Sequence, residues 1–295
     1  MKLKFNPSLD YQQDAVESTM ALFKDLSARG NAYVERGIAN AIDLNPETVL
    51  RNLKEVQQKN FIEESSSLIE DDDMYPFPNF SVEMETGTGK TYVYLRSIFE
   101  LHQKKGLRKF IIVVPSVAIR EGVLSSLALM KDHFKGLYNN APFDHYVYSS
   151  KDLSKVRQFA TANTLQIMVI NIQAFQRDAG DIASYDALTP DEVKKLSVIH
   201  REQDKMSGVK PIEFIQDVRP VLIMDEGLHA AWVNSAAMKR SSKPLDGNWK
   251  PEGGQIIRHN GKATGILVDG AVGLVAQAIP PMTDAQKRAA YKAAM

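Results

Sequence analysis

Apolar positions along the chain follow two rhythms. In "PSLDYQQDAVESTMALFKDLSARG", Val16, Met20, Phe23 and Leu26 recur at helical spacing, which predicts an amphipathic helix stopped by Gly30. Asp10 with Gln13 three residues on is a capping-box pattern at its start. After residue 78 short apolar runs alternate with helical segments. "FSVEM" predicts a strand, and "KTYVYLRSIFELHQKKG" a helix that ends in a basic turn and a glycine. "KFIIVVP" is nearly continuous in apolar residues, as a strand covered on both faces requires. "SVAIREGVLSSLALMKDHF" predicts a helix with Ser116 as N-cap, and "LQIMVINI" another buried strand. "TPDEVKKLSVIHREQDKM" predicts a helix capped by Thr189, with Pro190 at its first position and Glu192 closing a capping box. "RPVLIMDE" reads as a further buried strand with an acidic pair at its carboxyl end. The alternation predicts an α/β fold, a doubly wound parallel sheet with helices on both faces. Ligands of such sheets bind at the carboxyl ends of the strands.

This rhythm divides the chain into three parts. Residues 1–77 hold the first helix and an insertion. Within the insertion, "PETVLRNLKEVQQKNFI" predicts a helix and "EESSSLIEDDDMYPFP" a solvated acidic loop. Residues 78–226 carry the sheet. Residues 227–295 form an atypical tail, rich in turn residues and without a clear buried strand, whose folding the sequence leaves open. "TDAQKRAAYKAAM" at its end predicts a short helix with a Thr283–Gln286 capping box. No internal repeat is visible.

Composition narrows the classes of function. The 295 residues are 44% hydrophobic and 24% charged, ordinary for a soluble globular protein. Lysine plus arginine and aspartate plus glutamate both number 36, so the formal net charge is zero. Nucleic-acid contact would therefore come from a local patch. The chain has no cysteine, which excludes disulfides, Cys-ligated zinc and a thiol nucleophile. "MKLKFNPSLDYQQ" lacks the apolar core of a secretory signal, and "TGILVDGAVGLVAQAI" is too short to span a bilayer. These features lead to the expectation of a cytoplasmic protein.

The candidate chemistry starts at "METGTGKT". A strand, a glycine-rich loop and a helix in this order gather backbone amides at the positive end of a helix dipole. Thr86, Gly87, Thr88, Gly89, Lys90 and Thr91 would cradle phosphates. Lys90 would reach the β- and γ-phosphates, and Thr91 would place its hydroxyl on Mg²⁺. Met84 replaces the first glycine of the usual pattern. A glycine-rich turn without a ligand is the competing interpretation. A phosphate loop also needs a carboxylate at the end of a neighbouring strand. Asp225 is the metal-side candidate, and Glu226 the candidate base for the attacking water. The alternative for this acidic pair is a cap on the following segment.

Taken together, these stretches resemble the first motor domain of superfamily-two helicases and translocases. "LDYQQDAV" resembles their upstream glutamine motif, which implies that Gln12 bonds adenine and Tyr11 packs near it. "METGTGKT" resembles motif I, "IIVVPSVAIREGV" motif Ia, "MVINIQAF" the next DNA-facing segment, and "VLIMDE" motif II. With the long insertion before motif I, residues 4–226 are closest to the Res subunit of type III restriction enzymes. Those proteins use ATP to switch or translocate on DNA and then cleave it. The resemblance implies a P-loop, RecA-like fold, ATP and Mg²⁺ as cofactors, and double-stranded DNA and a methyltransferase (Mod) subunit as partners. It also implies DNA contacts from Pro115, Ser116, Arg120 and Asn171, which position a strand without reading it. Arg120 is equally well read as a solvated helical charge, and Asn171 as a cap on the next helix.

The chain departs from that family in several places. Gly227 and Leu228 follow the acidic pair where Pro-Gln is usual. No Ser-Ala-Thr-like motif follows, "NSAAM" being at best a remnant. No second motor domain, arginine finger or nuclease is found. An arginine finger contributes ~10³ to 10⁵ in phosphoryl-transfer rate. The expectation is an incomplete motor domain with an unrelated tail, from a truncated or recombined gene. Such a chain would bind nucleotide far better than it turns it over, or act only as a module that binds DNA or the methyltransferase subunit. A P-loop kinase or transporter ATPase leaves the Tyr-Gln motif unexplained.

Overall fold

The computed structural model describes residues 5–28, 31–68, 70–71, 75–85, 87–175, 196–225, 230–232, 238–251, 254–259 and 261–276. They fall into two units, one up to Asp225 and one from Glu226 on. In the first unit, α1 (Asp10–Leu22) is followed by a hairpin of β1 (Asn31–Val34) and β2 (Gly37–Asn40). Then come α2 (Pro46–Lys59) and a short pair, β3 (Glu70–Asp71) and β4 (Tyr75–Pro78). The remaining elements are α3 (Lys90–Lys105), β5 (Lys109–Val114), α4 (Val117–Leu137), β6 (Phe143–Val147), α5 (Ser154–Thr161), β7 (Leu165–Asn171), α6 (Pro211–Asp217) and β8 (Val221–Met224).

The main sheet has four strands in the order β6-β7-β5-β8, all parallel. β5 lies in the middle, with Phe110 opposite both Ile167 and Val221. All six of its residues are buried. Successive residues of a strand point to opposite faces, and both faces here are covered. Phe110, Ile112 and Val114 pack with Leu95, Phe99, Leu127 and Phe134 of α3 and α4. Ile111 and Val113 pack with Val156, Phe159, Phe214 and Ile215 of α5 and α6. This is the α/β, helix-covered parallel sheet expected of a RecA-like domain.

Four details differ from the sequence expectations. Residues 80–85 form no strand, although "FSVEM" has the composition of one. β8 is the edge of the sheet rather than a buried strand, with Leu222 46% and Met224 56% exposed. Only Val221 and Ile223 pack on the α3–α4 side. The helix expected to run on to residue 206 is replaced, over its described part, by 3₁₀ turns at Val198–His200 and Asp204–Met206. Thr189, Pro190 and Glu192 lie outside the described residues. Finally, α1 ends at Leu22 and has Leu9 as N-cap without a side-chain bond. Gln13 donates to the Pro7 carbonyl instead, so the Asp10–Gln13 capping box does not form. Other caps follow expectation: Ser116 accepts from the Ile119 amide, and Gly106 closes α3 at φ +72°.

The inserted hairpin, which has no marked sequence signal, docks at the amino ends of β5 and β8. Buried Asn40 donates to the carbonyls of Lys109 and Arg219 at 2.8 and 3.1 Å. Its Oδ1 accepts from the amides of Arg108 and Lys109. Lys109 is also fully buried, and its ammonium donates to the carbonyls of Phe159 and Ala162 at the end of α5. Burial pulls its pKa down to about 8.

In the second unit, β9 (Ala230–Trp232), β10 (Gly254–His259) and β11 (Lys262–Asp269) form an antiparallel sheet in the order β10-β11-β9. Its small core contains Leu245, Ile256, Leu267, Ala271 and Val275. The hairpin register pairs His259 with Lys262, so Asn-Gly is the connecting dipeptide, with Gly261 at φ +74°. That is the preferred pair for a two-residue hairpin, and it organises a tail whose turn-rich composition had suggested no clear strand. The helix expected over "TDAQKRAAYKAAM", with Thr283 and Gln286, lies outside the described residues. No helix among the described residues is long and apolar enough to cross a membrane.

Candidate functional site

The glycine-rich loop is held from the helix side. Thr88 turns back on Glu85, its hydroxyl donating to the Glu85 carbonyl at 2.6 Å. Gln12 of α1 donates its side-chain amide to the Thr88 carbonyl at 2.8 Å. Gln12 is only 7% exposed, whereas Tyr11 beside it is 49% exposed. Gly87 and Gly89 have φ of +82° and +89°, a region that L side chains avoid. A Cβ on Gly89 would lie 2.6 Å from Gln12 Nε2 and displace that amide, while the left-handed φ is what favours glycine there. Gly89 is the N-cap of the 16-residue α3, and Lys90 is its first residue. The first amides of this helix have no intrahelical acceptor. Thr86 lies outside the described residues.

Asp225 follows the last residue of β8, and its amide donates to Val113 of β5. Its carboxylate is reached from α3: the Tyr94 hydroxyl donates to Asp225 Oδ2 at 2.9 Å. The Thr91 side chain lies beside the same phenol. Burial, followed by the Asp225 charge, holds the Tyr94 phenol far above its usual range. Thr91 and Tyr94 are three residues apart and share one helix face. Lys90, Thr91 and Asp225 are thereby brought to one end of the sheet. Glu226 lies outside the described residues. No cluster of three or more His, Asp or Glu side chains suited to a metal occurs among the described residues. The donor set is free helix amides, an ammonium, a hydroxyl and one carboxylate. That set fits a cation carried in with phosphate oxygens rather than one caged by protein alone.

At the carboxyl ends of β5 and β7, three of the four candidate DNA contacts are linked. Arg120 donates to Asn171 Oδ1 at 3.2 Å and pairs with Glu121. Asn171 is thus occupied by Arg120, and its side chain does not cap the 3₁₀ turn Ile172–Phe175. Ser116 is exposed at the start of α4. Gln173 donates to the Pro115 carbonyl at 2.8 Å and ties the two loops together. Sequence reasoning missed Gln173 and Tyr94. For Tyr94 a signal existed: it is one helical turn beyond Thr91, on the same face.

A parallel sheet with a glycine-rich loop opening one helix and an aspartate ending a strand is the arrangement of a RecA-like domain. The chain belongs to the family of the type III restriction enzyme, res subunit, whose profile matches residues 7–243. It is 32% identical over 166 residues to the type III restriction-modification enzyme StyLTI Res subunit of Salmonella typhimurium, covering 50% of this chain and 15% of that protein. It is 31% identical over 159 residues to the EcoPI Res subunit of Escherichia phage P1, covering 51% of this chain and 16% of that one. The EcoP15I Res subunit of Escherichia coli is similar at 32% over 156 residues. The match therefore spans about 15% of these relatives' length. No solved structure matches significantly.

Proposed function

We propose that this chain is the ATP-binding, DNA-associated part of a type III restriction endonuclease motor, with weak or no turnover by itself. The observation that carries the proposal is the Tyr94–Asp225 bond, which brings the β8 carboxylate against the first turns of the loop's helix. In this reading the loop from Thr86 to Thr91 cradles the triphosphate, and Lys90 neutralises charge on its outer phosphates. Thr91 and Asp225 would hold Mg²⁺. Glu226 orients and deprotonates the attacking water. Gln12 reports adenine to the loop, being bonded to Thr88, and Tyr11 packs beside the base. The bound cation would supply charge neutralisation at the transferring phosphoryl group. Pro115, Ser116, Arg120 and Asn171 contact the phosphate backbone of double-stranded DNA, and a methyltransferase subunit is the expected protein partner. A cytoplasmic location fits these partners.

Titration with a fluorescent ATP analogue and Mg²⁺ tests the proposal, followed by steady-state hydrolysis with and without duplex DNA. Expected are Mg²⁺-dependent binding that Lys90→Ala weakens about thirtyfold and slow turnover that DNA stimulates. A folded protein that ignores ATP would overturn the reading. A second reading, a module that binds DNA or the methyltransferase subunit without turnover, is favoured by one feature. Residues 80–85 stay outside the sheet, so the phosphate loop lacks the strand that usually steadies it. Unstimulated, undetectable hydrolysis with intact nucleotide binding selects that second reading.

A further inference from the structure

The phosphate-loop pattern assigns nothing to Tyr94, yet this side chain stands between the two groups that matter most for a cation. Its hydroxyl donates to Asp225 Oδ2 at 2.9 Å, and the Thr91 side chain lies beside the same phenol. Its ring packs against the apolar cluster between α3, α4 and the sheet, so the phenol is held in place. We infer that Tyr94 is a positioning residue that orients the Asp225 carboxylate for a divalent cation. This rests on the nucleotide reading above.

The chemistry follows from the direction of the bonds. Tyr94 donates a hydrogen bond to one carboxylate oxygen, which fixes the rotation of Asp225 and leaves Oδ1 as the acceptor for a cation. Without the phenol, Asp225 loses its bond to α3. Partners that orient metal ligands in this way typically contribute about 10- to 100-fold in metal affinity.

The test is Mn²⁺ binding with ATP, read by electron paramagnetic resonance, together with ATP binding in EDTA. Tyr94→Phe is expected to weaken Mn²⁺ about tenfold or more and to leave metal-free ATP binding unchanged. The double variant Tyr94→Phe/Asp225→Asn should bind Mn²⁺ no worse than Asp225→Asn alone, since Tyr94 acts through that carboxylate. p-Aminophenylalanine at position 94 keeps a donor in the same place and should restore Mn²⁺ binding. p-Methylphenylalanine has the same shape without the donor and should not, which separates positioning from packing if Phe disturbs the fold. Mn²⁺ affinity unchanged in Tyr94→Phe, additive losses in the double variant, or equal affinity for the amino and methyl analogues overturns the inference while ATP binding stands. A wild-type protein that takes up neither ATP nor Mn²⁺ overturns both it and the nucleotide reading.

Discussion

At the amino ends of β5 and β8, Asn40 alone makes four hydrogen bonds to backbone groups of residues 108, 109 and 219, and its own amide donates to Val218. Lys109 next to it is fully buried and bonded to two carbonyls. At the carboxyl ends of the same strands the polar groups other than Gln12 are half-buried or exposed. There the backbone runs through left-handed glycines, and single bonds such as Gln12 to Thr88 and Tyr94 to Asp225 hold the parts together. At the first end the buried Asn40 and Lys109 side chains are bonded to backbone groups, because an unmade bond there costs about 1–3 kcal/mol. The other leaves amides, an ammonium and one carboxylate oxygen open, as the proposed phosphate and cation site requires. Stability and binding are thus assigned to opposite ends of one sheet, and substitutions should separate them.

The largest effect is expected from Asn40→Leu, which strands several buried backbone groups. Denaturant unfolding should show a loss of about 3 kcal/mol, with nucleotide affinity of the folded fraction unchanged. A loss under 1 kcal/mol would mean that water replaces the Asn40 amide. Lys90→Ala should do the reverse. ATP affinity is expected to fall by about 2 kcal/mol, some thirtyfold, while the unfolding midpoint stays where it was. Gly89→Ala brings both effects together. Its Cβ would meet the Gln12 amide and its φ is left-handed, so about 1–2 kcal/mol of stability is expected to be lost. Nucleotide binding should fall with it, and isothermal titration at a temperature where the variant is folded measures the second part. The smallest effect is predicted for Arg120→Ala. It should weaken DNA binding about equally for all sequences and lower the salt slope by about one, as read by fluorescence anisotropy at several ionic strengths. A sequence-dependent loss would show that Arg120 reaches a base.

Much of this arrangement is legible in the residues. "KFIIVV" and "LQIMVIN" are continuous in apolar residues because both faces of β5 and β7 are covered, and both segments are strands. "VLIM" has the same composition but sits at the edge with one face open, which composition alone cannot distinguish. "FSVEM" alternates as a strand should, and still pairs with nothing, since a strand exists only where a neighbour accepts its hydrogen bonds. Asn40 lies in a hairpin too short for a periodic signal, and its partners are about 70 and 180 residues away. Tyr94 could be placed on the Thr91 face by helical spacing, but its bond to a residue 131 positions later could not.

The buried strands β5 and β7, the helices α3 and α4, the glycines at 87 and 89 and the chemistry of Lys90, Thr91 and Asp225 come from the sequence alone. They rest on local physics: side-chain periodicity, positive φ and the charge each group carries. Which strand takes the edge, what anchors the loop and which phenol stands beside the carboxylate were decided by tertiary structure. Those outcomes depend on hydrogen bonds and packing between segments far apart in the chain, where one unmade bond outweighs any local preference.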